Sequence, residues 1–341
     1  MDLKNKRIII SKTNQIGDVI FALPLASAIK QLEPTATVIF LGTHYTRELI
    51  EHYQDVDEFV DWNEIYRDND EAAAVKHLQA LNADIIIHVR PKKTICRVAK
   101  KAKIQLRIGS RSRFYCWFTC NRLISISRKK CELHETQYDM MFMQALGGKT
   151  FYSLDEIIAL RHFKPLPKST EIQALLDPQR FNLILHPKTR GEHIEWSPAH
   201  FAELIRLLPE DKFKIFVTGS QAEGDKVRDI MLTPFPHVVD LCGKITLSEL
   251  MKLIQNIDGL VCASTGPVHV AAAFAINTLG LYAPIRPFHA GRWGPVGKHA
   301  TSITIDKKCE DCRRLTACHC INEITPEQVR DVIIGWYNLR I

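Results

Sequence analysis

Short apolar runs alternate with amphipathic stretches along the chain, and this alternation predicts successive β-strands and α-helices. In the first half the predicted strands are residues 7–11, 37–41, 59–60 and 84–89. The predicted helices are residues 18–32, 43–52 and 71–81 and a basic helical stretch at 92–103. Strands that alternate with helices in this way indicate a parallel sheet with helices packed on its faces.

A second alternation follows a polar, proline-containing stretch, residues 163–170, which has the composition of a linker. Its predicted strands are residues 181–186, 214–217, 238–241, 259–262 and 278–282. Its predicted helices begin near Ser197 and at residues 222, 247, 268 and 325. We therefore expect two doubly wound α/β domains, with ligands bound in the cleft between the facing sheets.

The composition indicates the cellular location to expect for the protein. Hydrophobic residues make up 46% of the chain and charged residues 24%, as in soluble globular proteins. No apolar run approaches the length of a membrane span, and Lys4, Lys6 and Arg7 precede only a short apolar run. We expect a cytoplasmic protein that can touch a membrane surface.

Positive charge is concentrated in one segment. The whole chain has a net charge of +7, but residues 85–131 contain 14 Lys or Arg and no Asp or Glu, so the remainder is net acidic. Such a segment is either a solvated face or a contact for an anionic partner: nucleic acid, anionic lipid, or a phosphorylated or carboxylated substrate. The residues selected as candidate contacts are Lys92, Lys93, Arg97, Arg111 and Arg113.

Ten cysteines are present, and four of them cluster near the C-terminal end. Cys309 and Cys312 form a Cys-x2-Cys pair, and Cys318 and Cys320 a tighter Cys-x-Cys pair. This set could hold zinc, although the second pair is closer than in usual zinc ribbons. Free thiols or a facultative disulfide are the alternatives, and the other six cysteines are expected to be reduced.

The segment after the predicted strand 259–262 has the composition of an anion-binding turn. Ser264, Thr265 and Gly266 precede a helix of small residues, and Pro267 suits the first turn of that helix. Thr265 can cap the helix, whose exposed N–H groups attract an anion. An ordinary strand-to-helix turn is the alternative interpretation.

Other polar residues also follow predicted strands. Asp18 begins the first helix and could be a general base or simply an N-cap. Lys188, Thr189 and Arg190 follow the strand at 181–186 and suit a pyrophosphate, unless they form a solvated loop. Glu223 could bind ribose hydroxyls or offset a helix dipole. Neither a Gly-x-Gly-x-x-Gly fingerprint nor a P-loop is present at the first strand–helix turn.

These motifs in this order resemble glycosyltransferase family nine, the lipopolysaccharide heptosyltransferases. The stretches that carry the resemblance are Ile16-Gly17-Asp18-Val19 with Leu23-Pro24, His134-Glu135 with Gln137-Tyr138, residues 243–250, Ser264-Thr265-Gly266-Pro267-x-His269-x-Ala271-Ala272-Ala273, and Arg292-Trp293-Gly294-Pro295. The resemblance implies a GT-B fold: an acceptor-binding domain at residues 1–165, a nucleotide-sugar-binding domain at 166–324, and a C-terminal helix at 325–341 that packs back toward the first domain.

The resemblance also implies a reaction and its residues. An inverting transferase would move heptose from ADP-heptose, with no further cofactor, to the Kdo or heptose of the lipopolysaccharide inner core, with Asp18 as the general base. It would work at the cytoplasmic face of the inner membrane, with the basic residues facing the acceptor and anionic lipid and no nucleic acid as partner. The residues that the resemblance assigns to the donor are Lys188, Thr189, Arg190, Glu223, Ile245, Ser264, Thr265, Gly266 and His269.

Two positions depart from the pattern of the family. Many members carry Asp at the position of Ser264, and many carry a Lys just before the Trp-Pro that starts a helix, whereas residues 191–198 contain no lysine. His193, or Lys188 with Arg190, could supply that charge. A transferase of another nucleotide sugar and a non-catalytic binder of nucleotide sugars or other anionic ligands therefore remain as alternatives.

Overall fold

The chain divides into two compact α/β units, Met1–Pro165 and Leu166–Ile341. The structure is a computed structural model that describes residues 1–129, 131–189, 194–285, 288–306 and 320–340. In the described part of the chain, no helix combines the length and the apolar character that crossing a bilayer requires.

The first unit is built on a parallel six-stranded sheet with the order β3-β2-β1-β4-β5-β6. Its strands are β1 (Arg7–Ser11), β2 (Thr37–Gly42), β3 (Glu58–Asp61), β4 (Ile85–His88), β5 (Leu106–Ser110) and β6 (Arg122–Ile124). The strands β1 and β4 are apolar because helices cover both faces of a parallel sheet. The strand order reverses between β1 and β4, which makes their carboxyl ends the expected ligand edge.

The helices of the first unit are shorter than the sequence predicts. Residues 18–32, predicted as one helix, form two, because Pro24 lacks an N–H group and begins a new helix as its first residue. The α-helices are α1 (Ile16–Ala22), α2 (Pro24–Leu32), α3 (Arg47–Glu51), α4 (Trp62–Ile65), α5 (Glu71–Ala80), α6 (Lys93–Lys101), α7 (Cys116–Thr119), α8 (Glu135–Met140) and α9 (Leu154–Ala159). Further 3₁₀ turns are His44–Thr46, Arg67–Asn69 and Met141–Leu146.

The second unit repeats this topology. Its parallel sheet has the order β12-β11-β10-β7-β8-β9, which reverses between β7 and β10 as the first sheet does between β1 and β4. Its strands are β7 (Phe181–His186), β8 (Phe213–Val217), β9 (Val239–Asp240), β10 (Gly259–Ala263), β11 (Asn277–Tyr282) and β12 (Ala300–Thr304). Two Rossmann-like sheets are therefore present, and the predicted α/β class is confirmed.

The helices of the second unit connect these strands. They are α10 (Thr170–Leu175), α11 (Pro198–Leu207), α12 (Gln221–Gly224), α13 (Arg228–Met231), α14 (Leu247–Asn256), α15 (Gly266–Ala273), α16 (Ala290–Trp293) and α17 (Pro326–Arg340), with a 3₁₀ turn at Cys320–Glu323. The last helix packs against α11, and its buried residues Val329 and Ile333 lie in the apolar core of the second unit. The packing of this helix toward the first domain, which the family resemblance implies, stays a prediction.

Candidate active site

Asp18 lies at the carboxyl edge of the first sheet and is held by two cations. It is the third residue of α1, and its side chain is 12% exposed. Arg90 Nη1 donates to Asp18 Oδ1 at 3.1 Å, and Lys12 Nζ lies 3.7 Å from the same oxygen. The N-cap position belongs to Gln15, so the simple capping role does not describe Asp18.

Lys12 is the centre of a buried charge network beneath Asp18. Its side chain is fully buried, and Nζ donates to Asp139 Oδ2 at 2.7 Å. Arg128 binds the other side of Asp139 through Nη2 at 3.0 Å and contacts Glu135 through Nε at 2.6 Å. Such charges are tolerated in the interior only when they are paired and hydrogen-bonded.

The network is close to electrically neutral. Three cations, Arg90, Lys12 and Arg128, face the three carboxylates of Asp18, Asp139 and Glu135. Burial raises the pKa of Asp139 to about 6, although Lys12 and Arg128 act in the opposite direction. The arrangement fixes Asp18 between the buried Lys12 and Arg90, whose side chain is 47% exposed.

The helix that carries Asp139 is anchored by its own N-terminus. His134 caps α8 in a capping box with Gln137, and Thr136 Oγ1 donates to the carbonyl of Phe21 in α1 at 2.8 Å. The His134-Glu135 and Gln137-Tyr138 motif thus fixes α8 against α1 and delivers Asp139 to Lys12.

Polar groups beside Asp18 are available for a ligand. The buried atoms Thr13 Oγ1 and Asn14 Oδ1 have no hydrogen-bond partner among the described residues. Lys92 Nζ donates to the carbonyl of Thr13 at 2.9 Å, so one of the predicted basic contacts borders the loop before Asp18. Unsatisfied buried polar atoms are uncommon, and an acceptor substrate with several hydroxyl groups would pair them.

The other predicted basic contacts are dispersed. Arg111 and Arg113 are exposed in the turn after β5, and Lys93 is exposed at the start of α6. Arg97 instead pairs with Glu71 of α5, so its guanidinium is bound to a neighbouring helix. The structure therefore brings Lys92 to the loop that precedes Asp18 but does not bring Arg97 there.

In the second unit, Lys188 and Thr189 converge on Glu195. They follow β7, whose last residue His186 is paired with Cys262 of β10. Lys188 Nζ contacts Glu195 Oε2, while the Thr189 N–H and hydroxyl donate to Oε1 at 2.7 and 3.1 Å. The third predicted residue, Arg190, and the substitute cation His193 lie outside the described residues.

The loops after β8 and β9 lie beside this edge. His186 Nδ1 lies 2.9 Å from Thr218 Oγ1, and burial lowers the pKa of His186 to about 4, so the ring is neutral at neutral pH. Glu223 Oε2 accepts from the Ser220 N–H at 2.7 Å in a capping box, a local helix-start role. Ile245 is half-buried in the turn before α14.

The turn between β10 and α15 has the predicted form with one difference. Thr265 occupies the N-cap position, but its side chain makes no capping hydrogen bond. Gly266 starts α15, and His269 is buried in that helix. Tyr282, the last residue of β11, donates its hydroxyl to the Trp293 carbonyl at 2.7 Å. The turn at residues 292–295 is thereby joined to the end of β11, which pairs with β10.

The predicted zinc cluster is described only at one position. Cys309, Cys312 and Cys318 lie outside the described residues. Cys320 is buried in the apolar core of the second unit.

Comparison with known proteins assigns the family. The model of glycosyltransferase family 9 (heptosyltransferase) matches residues 72–320, more than half of the chain. The chain belongs to glycosyltransferase family 9. Lipooligosaccharide heptosyltransferase 2 of Campylobacter jejuni is 21% identical over 96% of this chain and 98% of its own. Lipopolysaccharide heptosyltransferase 1 of Escherichia coli is 22% identical over 84% and 91%.

Solved structures agree with this assignment at the level of the fold. A family 9 glycosyltransferase from Veillonella parvula has a TM-score of 0.81 at 17% identity and covers 99% of both chains. The ADP-heptose lipopolysaccharide heptosyltransferase II of Escherichia coli has a TM-score of 0.76 at 18% identity and covers 98% of this chain and 99% of its own. This family 9 chain is therefore a glycosyltransferase with the predicted GT-B class of fold, and its family is that of the heptosyltransferases.

Four residues of this family 9 site were not selected from the sequence: Lys12, Arg90, Asp139 and Glu195. A charged residue directly after a buried strand, as Lys12 is after β1, is a sequence feature that could have indicated the first of them. Asp139 finds Lys12 through the tertiary fold, so no spacing in the sequence reveals its role. Glu195 contacts Lys188 within one loop, but a charged pair at that spacing is not a recognised motif.

We expect Lys12→Met to lower the free energy of unfolding by about 3 kcal/mol, because it removes one of the two cations that compensate the buried Asp139 carboxylate. Urea denaturation of the full chain measures the change. Lys6→Met is the matched control: its partly exposed pair with Asp84 predicts a much smaller loss of unfolding free energy. Equal losses of unfolding free energy in the two variants would show that the buried pair contributes no more to stability than the exposed pair.

Proposed function

We propose that this glycosyltransferase transfers heptose from ADP-heptose to a Kdo or heptose hydroxyl of the lipopolysaccharide inner core, with inversion at the anomeric carbon. The observation that carries the proposal is the setting of Asp18, a carboxylate at the ligand edge of the first sheet that is held by Arg90 and Lys12. The names of the relatives support heptose as the sugar and lipopolysaccharide as the acceptor class.

The proposed chemistry is a single displacement. Asp18 accepts the proton of the acceptor hydroxyl as that oxygen attacks the anomeric carbon, and the bond from that carbon to the diphosphate oxygen breaks. ADP leaves with the electron pair of that bond, from the face opposite the attacking oxygen. Loss of the acceptor proton to a base and charge stabilisation on the leaving group are the two requirements of the step.

The second unit provides the groups proposed for the leaving diphosphate. The first-turn N–H groups of α15 and the hydroxyl of Thr265 would bind phosphate oxygens, with Ser264 and His269 in support. Lys188 supplies positive charge, so the scheme uses no separate cofactor. Glu223 and the backbone near Ile245 would bind the ribose and the adenine.

One contact favours a second candidate, a transferase of a different nucleotide sugar. Glu195 lies in the segment before Trp196 in which many family members carry a lysine, and it engages both Lys188 and Thr189. This carboxylate offsets positive charge at the proposed diphosphate site. The same observation is compatible with a non-catalytic binder, for which no transfer would be measured.

A membrane-facing surface is also part of the proposal. The turn and helix after β5 expose three aromatic side chains, Phe114 (76%), Trp117 (56%) and Phe118 (61%), beside the exposed Arg111 and Arg113. Aromatic rings among cations suit the headgroup layer of an anionic bilayer. We propose peripheral association with the cytoplasmic face of the inner membrane, where the lipid-linked acceptor is made.

We expect Asp18→Asn to lower kcat by about 10²-fold or more, the usual contribution of a general base, while leaving ADP affinity unchanged. A coupled assay of ADP release from ADP-heptose with a Kdo-lipid A acceptor measures the rate, and calorimetry measures ADP binding. Asp68→Asn, a change at an exposed turn residue, is the control. Undiminished turnover by Asp18→Asn would remove Asp18 from the mechanism.

We expect ADP-heptose to give the largest thermal shift in a panel of nucleotide sugars, and Lys188→Ala to weaken ADP binding by roughly 10-fold or more through loss of a charge-assisted contact. Lys226→Ala, an exposed lysine of the same unit, is the control. A larger shift with a uridine or guanosine sugar would favour the second candidate. Wild-type ADP affinity in Lys188→Ala would exclude Lys188 as a phosphate ligand.

We expect the protein to sediment with vesicles that contain phosphatidylglycerol. Arg111→Gln with Arg113→Gln should weaken this binding roughly 30-fold at low salt, at about 1 kcal/mol per cation. Trp117→Ser with Phe118→Ser should weaken it at high salt as well, because apolar insertion is not screened. Phe151→Ser, an exposed aromatic elsewhere in the first unit, should have no effect. Equal sedimentation of all variants would contradict the membrane surface.

A further inference from the structure

A cluster of one histidine and three cysteines lies buried in the first unit. His88 ends β4, Cys96 lies in α6, Cys116 starts α7, and Cys120 follows its last residue. All four side chains are buried, and the three cysteines form an apolar cluster of their own, separate from the main core of the unit. The proposed transfer reaction uses none of them.

Three of these side chains converge on one point. One ring nitrogen of His88 and the sulfurs of Cys96 and Cys120 all lie within 4.8 Å of one another. Cys116 lies outside that set, but its sulfur is near that of Cys120: the two sulfurs lie 3.2 and 2.7 Å from the point that a Cβ on Gly109 would occupy. Cys116 and Cys120 are four residues apart across one helical turn, so their side chains share a face, as two ligands of one metal ion do.

The lack of hydrogen-bond partners at His88 is a second, independent observation that points to a ligand in this cluster. The residue has no exposed surface, yet neither Nδ1 nor Nε2 has a hydrogen-bond partner among the described residues. A buried polar group without a partner destabilises the folded state, and native structures retain few such groups. A metal ion bound to one ring nitrogen would give the imidazole of His88 a partner. The neutral form of the ring is sufficient for that bond.

We propose that His88, Cys96 and Cys120 form a structural site for a thiophilic divalent cation, with Zn²⁺ as the ion, and that Cys116 completes the ligand set. One nitrogen and three thiolate sulfurs are a common tetrahedral ligand set of structural zinc. Binding releases the three thiol protons and changes no oxidation state. The resulting single negative charge is offset by Arg107, whose guanidinium donates to the Thr119 carbonyl at 2.8 Å beside Cys120.

The position of the cluster gives the ion a structural task. Cys116 and Cys120 hold one side of α7, and Trp117 and Phe118 are exposed from the same turn. His88 lies two residues before Arg90, which contacts Asp18. A metal ion at this point would fix the exposed aromatic turn to the end of β4. Loss of the ion would leave the aromatic turn and the end of β4 less firmly held.

Metal content of the full chain tests the proposal once the second cysteine group is removed. The background protein carries Cys309→Ser, Cys312→Ser and Cys318→Ser, so that zinc bound near the C-terminal end does not contribute. We expect it to contain about one zinc per chain by elemental mass spectrometry. Loss of one ligand in Cys96→Ser or Cys120→Ser should weaken binding by more than about 100-fold, the upper effect of an outer-shell change.

Cys262→Ser, a buried cysteine of the second unit, is the matched control and should keep the zinc. If a ligand variant fails to fold, cobalt titration of the background protein replaces it, and thiolate-to-cobalt charge-transfer absorption at one equivalent is then expected. A folded background protein that binds neither zinc nor cobalt would overturn the proposal. A disulfide within the cluster, or zinc retained after Cys120→Ser, would do so equally.

Discussion

The ion pair between Lys12 and Asp139 is the constraint on which the rest of the first unit depends. Neither side chain is exposed, and an unpaired charge in that position would cost several kcal/mol. The helix α8 must therefore stay against α1, and its capping box and the bond from Thr136 to Phe21 hold it there. Asp18 takes its position from the same lysine.

The two units share one sheet topology but place different side chains at the carboxyl ends of their central strands. Both sheets reverse strand order next to their first strand, so both collect polar loops at the carboxyl ends of two central strands. In the first unit these loops hold a carboxylate among cations. In the second they hold the N-terminus of α15, which suits an anion, and Lys188, whose positive charge is offset by Glu195. Membership of a family of transferases agrees with this division.

The sequence predicted the alternating architecture because buried parallel strands leave apolar runs that are easy to recognise. It also selected Asp18, whose position after a strand is a local feature. It did not reveal the role of Asp139, because the contact with Lys12 joins distant segments only in the folded chain. It did not reveal the pairing of Glu195 with Lys188 either, because that pairing depends on the conformation of one loop. The six scattered cysteines gave no indication of a cluster for the same reason: β4, α6 and α7 meet only through the sheet.

We propose that the buried pair positions the carboxylate of Asp18 for base catalysis, and the steady-state kinetics of Asp139→Asn test this proposal most directly. We expect kcat to fall at least about 10-fold, since misplaced groups lose much of their catalytic effect, while ADP affinity stays at the wild-type value. Asp139→Glu, which keeps the charge, should recover part of the rate. A folded Asp139→Asn protein with wild-type kcat would contradict the account.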